Sequence, residues 1–204
     1  MGLGNELCWK KESMSTTIKP TFQIQRINAL ENRLKSIQEL NSEKLMHRPK
    51  EKSWSAIEVA KHMVIGHNAY TGKVKSALEW QSKTTEVPSE FQASSIPSFL
   101  IKRFPPQAGK IKFKMKTTKK FKPVLDLESI DASQLNAILE ELDDVLKELK
   151  SWVEVYRGQP VSMKKFNSAL GPIVRFNIPE ACEFILCHNE RHFLQMERAI
   201  ESAN

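Results

Sequence analysis

The segment Phe184-Ile185-Leu186-Cys187-His188-Asn189-Glu190-Arg191-His192-Phe193-Leu194-Gln195-Met196 decides how this chain is read. At helical spacing, Phe184, Ile185, His188, His192, Gln195 and Met196 fall on one mostly apolar stripe. Glu183, Glu190, Glu197 and Arg198 fall on the other face. The two histidines are four apart, so they lie about 40° apart around a helix, with Cβ atoms about 5–6 Å apart. Two ligands of one ion can use that separation. A third imidazole, His62, sits far upstream on a second helical stretch, among Val59, Ile65 and Gly66. Three histidines from two facing helices can hold one divalent metal and leave a coordination position open. His67, five residues after His62 and about 140° around the helix, is the runner-up for the third ligand.

A zinc-protease helix places a glutamate directly after its first histidine. Here that residue is Asn189, and Glu190 points about 200° away from His188. Glu58, four before His62, fits a helix cap with Ser55 better than a contact to the imidazole. Gln195, three after His192, is a candidate to orient that ring or touch substrate. Arg191 is expected in a helix salt bridge or at the pocket edge, Trp54 in the core, and His47 in an exposed loop.

Working outward, the periodicity predicts four long helices. The first runs from about Thr21 to Asn41 on Ile27, Leu30, Leu34 and Ile37, and a break follows at residues 45–49, before Pro49. The second starts at a Ser55/Glu58 capping box and ends near Trp80, with Gly66 and Gly72 marking a bend or a close helix contact. The third starts at Asp131 with Gln134, carries Leu135, Ile138, Leu142, Val145, Leu149 and Trp152 on one stripe, and ends near Gly158. The fourth runs from Ile178-Pro179 to about Ala199. Residues 81–130 and 159–177 are long connections. In the first, residues 96–104 suit a helical turn or two, and residues 110–116 alternate lysine with apolar side chains, as an extended segment with one buried face would. The architecture is all-α, a four-helix bundle, in which metal sites are built between facing helices.

The 204 residues suit a single domain, 20–204, after a flexible leader, 1–19, in which Met14 resembles a natural start. No stretch reaches the roughly 20 apolar residues of a membrane span, and no signal peptide is visible, so no membrane role and a cytoplasmic location are expected. Three cysteines, Cys8, Cys182 and Cys187, do not make a disulfide framework. Cys182 and Cys187 read as small buried residues, with Cys187 a weak candidate for a functional thiol. The net charge of +7 is concentrated in residues 102–122, with nine basic and no acidic side chains. Without a nucleic-acid motif, a solvated face or a rim that attracts anionic small molecules is the better reading than nucleic-acid binding.

Arg48-Pro49, then Trp54-Ser55-x-x-Glu58-x-x-x-His62, then His188-x-x-Arg191-His192-x-x-Gln195, resembles the DinB-like superfamily, which includes the YfiT-like proteins. The resemblance covers residues 22–200. It implies an up-down-down-up bundle with a long crossover between its second and third helices. It also implies metal held by His62, His188 and His192, a divalent ion such as zinc, nickel or iron, and a homodimer. The better understood relatives are metal-dependent transferases and isomerases that use a low-molecular-weight thiol. The expectation is a metal-dependent enzyme acting on a small-molecule substrate, by activating a thiol in S-transferase fashion or a water as a hydrolase. A non-catalytic metal-binding stress-response protein is the alternative.

Overall fold

The computed structural model describes residues 15–113 and 115–203. Four long helices make the bundle: α1 (Pro20–Gln38), α3 (Ala56–Leu78), α5 (Ala132–Gly158) and α6 (Ile178–Glu201). Between them lie α2 (Ser42–Met46), α4 (Ser95–Arg103) and a single 3₁₀ turn at Lys119–Phe121. Strand β1 (Thr16–Ile18) pairs antiparallel with β2 (Phe91–Ala93), and β3 (Phe166–Ser168) with β4 (Gly171–Phe176).

Local chemistry sets the starts of the last three long helices. Ser55 and Glu58, Asp131 and Gln134, and Asn177 and Glu180 each form a capping box, so side chains satisfy backbone N–H groups that have no helical partner. The first two boxes are those the sequence predicts; the third, at Asn177 and Glu180, lies just ahead of the Ile178-Pro179 start. The six stripe residues of α5 are all buried. α3 packs on α5 and α6, while α1 packs chiefly on α5 and more lightly on α6. The crossover from α3 to α5 spans residues 79–131 and lies partly against the α3–α6 seam.

The structure departs from the sequence reading in five places. Helix α1 ends at Gln38, because the Asn41 side chain accepts from the Lys44 N–H at 3.0 Å and starts the separate turn α2. His47 closes that turn and is half-buried, not exposed. Residues 16–18 of the expected leader are a paired strand, and Ile18 is buried against the core; residues 1–14, with Cys8 and Met14, lie outside the described residues. Residues 110–116 keep their alternation at Ile111 and Phe113, which are half-buried, but form no named strand, and Met115 is exposed; Lys114 lies outside the described residues. Finally, residues 159–177 contain the β3–β4 hairpin. Its turn depends on Gly171 at φ +127°, a conformation that a side chain would strain.

Candidate metal centre

The second and third turns of α3 and the middle of α6 bring three imidazoles together. The ring centroids of His62 and His192 are 4.7 Å apart, those of His188 and His192 4.4 Å, and those of His62 and His188 5.4 Å. One ring nitrogen from each residue falls within 4.8 Å of the others. Nitrogen ligands on a tetrahedral zinc sit about 3.3 Å apart, given bonds of about 2.0–2.1 Å. At Gly66, α3 passes beside the His188 ring: a Cβ there would stand 3.4 Å from His188 Cε1, an ordinary van der Waals contact. Of the two readings of that glycine, a bend or a close contact, the structure shows proximity to α6 at a distance that a small side chain would tolerate.

Two of the rings have their tautomers set from outside the trio. His62 Nδ1 lies 2.7 Å from the Phe121 carbonyl oxygen, which can only accept, so Nδ1 carries the hydrogen and Nε2 keeps its lone pair. His192 Nδ1 faces Gln195 Oε1 at 3.0 Å, which leaves its Nε2 free in the same way. A partner on the far nitrogen is the arrangement that orients metal-binding histidines. Burial lowers the pKa of all three imidazoles, and their closeness to one another and to Arg191 adds to the shift of His188, which falls to about 3, and of His192. The trio is therefore neutral at pH 7 and presents lone pairs, not protons.

The trio forms part of the wall of a cleft of about 340 Å³. Phe104, Phe121, Phe184 and Ile185 give it apolar sides, and Lys116 and Lys120 bring positive charge from the crossover. Lys120 donates to the Ala169 carbonyl of the hairpin at 3.2 Å, which joins the two long connections beside the cleft. Part of the basic segment thus lines this cleft, which the sequence could only offer as one of three readings.

The other singled-out residues separate clearly. Arg191 lines the cleft, donates to the Phe113 carbonyl and lies over the Phe104 ring at 5.6 Å; it makes no ion pair among the described residues. Burial lowers its pKa. Glu58 belongs to the helix cap, where it accepts from Ser55 and makes a two-point ion pair with Arg48 at 2.5 and 2.8 Å. Burial alone would raise its pKa, but Arg48 and Ser55 hold it below the usual carboxylate range. Trp54 is half-buried with its ring 5.0 Å from that of His62, so it borders the centre. Cys187 is buried beside Arg26, Glu183 and the Ile101 carbonyl, and burial pushes its thiol well up, which does not suit a nucleophile. His67 stands apart from the trio, stacked on Trp152 and bonded to Glu148. The Phe121 carbonyl was missed because a backbone group leaves no mark on sequence at a separation of 59 residues.

No known protein-family pattern matches this chain, and no curated protein matches it. Among solved structures, it is similar to YfiT from Bacillus subtilis, described as a probable metal-dependent hydrolase with an unusual four-helix bundle topology. The TM-score is 0.51 and the identity 14%, over 88% of this chain and 85% of that one. The likeness shows that this chain has the YfiT-type four-helix bundle, the fold that its sequence resemblance implied.

Proposed function

We propose that this chain is a metal-dependent enzyme in which His62, His188 and His192 hold one divalent ion beside an open cleft. The observation that carries the reading is the convergence of three neutral imidazoles, two of them oriented from outside the trio, on a cavity wall. The donor set fits an ion: three imidazoles suit zinc, nickel or iron, and no carboxylate or thiol of the described residues completes the group.

A bound divalent ion supplies Lewis acidity and lowers the pKa of a water or thiol at its open position toward neutrality. The protein's own side chains do the remaining work. The Phe121 carbonyl and Gln195 fix the rings of His62 and His192. Phe104, Phe121 and Phe184 give the cleft an apolar lining. Lys116, Lys120 and Arg191 make its potential positive, which favours substrates or thiol cosubstrates that carry negative charge. Hydrolysis needs only water as the second reactant and is consistent with the description of YfiT. Transfer of a low-molecular-weight thiol uses the same centre. A small-molecule substrate fits the size of the cleft.

The test is elemental analysis of untagged protein that has met no metal column, followed by assay against ester and amide panels and against thiols with electrophiles. The reading expects about one equivalent of metal, loss of that metal in His188→Ala, and metal-dependent turnover in one panel. Absence of stoichiometric metal binding contradicts it. Full occupancy with no turnover in either panel leaves a metal-binding protein without catalysis.

A further inference from the structure

We propose that Arg191 anchors a carboxylate of the substrate, so that the cleft selects small molecules with an apolar body and one carboxylate group. The proposal rests on reading the cleft as a substrate site and names the class of molecule that it takes.

The bundle uses arginine in a recurrent way. Arg26 holds Glu190, Arg33 holds Glu197 and Arg48 holds Glu58, each through the same edge of the guanidinium, with Nε on one carboxylate oxygen and Nη2 on the other at 2.5–2.8 Å. That planar fork matches the two oxygens of a carboxylate. Arg191 departs from the pattern. Its Nη1 donates to the Phe113 carbonyl, while its Nε and Nη2 have no hydrogen-bond partner among the described residues. The sequence explains why: the residues three and four positions away on α6 are Cys187, His188, Leu194 and Gln195, and none is acidic. Neither nitrogen is among the unpaired side-chain atoms that are closed to solvent, so the edge is open to a ligand.

The place of that edge matters. Arg191 is half-buried and lines the cleft together with His188 and His192, and its guanidinium carbon lies 5.6 Å from the centre of the Phe104 ring on the cleft wall. The Phe113 carbonyl and the Phe104 ring hold the side chain from two sides, so a ligand has little left to order. The guanidinium charge helps to lower the pKa values of His188 and His192, so a molecule held by it lies next to the trio. Lys116 and Lys120 line the same cleft, but an ammonium is a point charge without a fork, and Lys120 donates to the Ala169 carbonyl. One unpaired guanidinium matches one negative charge, which favours a carboxylate over a phosphate ester carrying nearly two. Tyr70, Phe104, Phe184 and Ile185 suit an aromatic or aliphatic body.

The experiment titrates metal-free full-length protein by NMR with benzoate, with benzamide, its neutral counterpart, and with phenyl phosphate. Benzoate is expected to bind about tenfold more tightly than benzamide and more tightly than phenyl phosphate. The preference over benzamide should nearly vanish in Arg191→Met, which keeps an apolar stem against Phe104, while benzamide affinity stays within about twofold. The wild-type Arg191 Nε–H resonance gives a check that needs no variant, and it should move further with benzoate than with benzamide. Absence of saturable benzoate binding, equal affinity for benzoate and benzamide, an undiminished preference in Arg191→Met, or an Nε–H resonance that benzoate leaves in place overturns the proposal. Tighter binding of phenyl phosphate overturns the choice of carboxylate. No metal takes part, so a chain that failed to bind zinc would defeat the proposed function and leave this result to stand on its own.

Discussion

Helix α6 presents two faces that have solved opposite problems. Toward α1, it carries Glu183, Glu190 and Glu197, and α1 answers with arginines. Arg26 reaches Glu183 at 2.5 Å and grips both oxygens of Glu190 at 2.7 Å, and Arg33 grips Glu197 at 2.6 and 2.7 Å. Toward α3, the same helix carries His188 and His192, which meet His62 with no carboxylate among them. The first face is charged and fully paired; the second is neutral and offers lone pairs. Paired charges hold two helices in register, whereas lone pairs on a cleft wall are free to take a ligand. The difference separates the proposed metal side, toward α3, from the ion-paired side, toward α1.

The sharpest way to break this contrast is to remove a ring. His188→Ala should weaken zinc affinity by about a thousandfold, or about 4 kcal/mol, with little loss of stability in the metal-free protein. Calorimetric titration together with thermal unfolding checks both halves. A variant that unfolds but still binds zinc would reverse the assignment of the two faces.

Acid should also tell the faces apart. His62, His67, His188 and His192 all have lowered pKa values in the fold, while the unfolded value is about 6.5. The unfolded chain then binds more protons than the fold below that pH. The contribution from these groups is fully present above pH 6.5 and is lost as pH falls from there toward the folded values, about 3 for His188. The metal-free protein should lose at least about 3 kcal/mol between pH 7 and 5, measured by denaturant unfolding. Flat stability over that range would mean that the imidazoles are not buried as neutral rings.

On the α1 side, Arg26→Ala leaves Glu183 buried and unpaired. A loss of about 3 kcal/mol is expected, with metal affinity unchanged. Urea unfolding and a zinc titration of the same sample read the two quantities. The smallest effect belongs to Gln195→Leu, which removes the partner of His192 Nδ1 and should weaken metal binding about tenfold without altering the fold.

Much of the bundle was legible in the sequence because its signals are local. The stripe on α5 and the Ser55/Glu58 and Asp131/Gln134 boxes need only residues three or four apart. The pairing of His188 with His192 is of this kind. That His62 joins them depends on two helices crossing, and its recognition came from a resemblance as well as from burial patterns. The hairpin at 166–176 escaped notice because Gly171 and Pro172 read equally well as a loop. The strand at Thr16–Ile18 has no local signal, because its partner, Phe91–Ala93, lies 75 residues away from it in a stretch without a run of strand periodicity. The roles of His67 and the Phe121 carbonyl were invisible for the same reason: each is defined by a contact with a remote element.

The central claim is most directly tested by X-ray absorption spectroscopy of the zinc-loaded protein, with and without an added exogenous ligand such as azide. The account predicts three imidazole nitrogens at about 2.0–2.1 Å and one light-atom ligand that azide replaces. A sulfur in the first shell, or a fourth protein ligand that azide cannot displace, would contradict it.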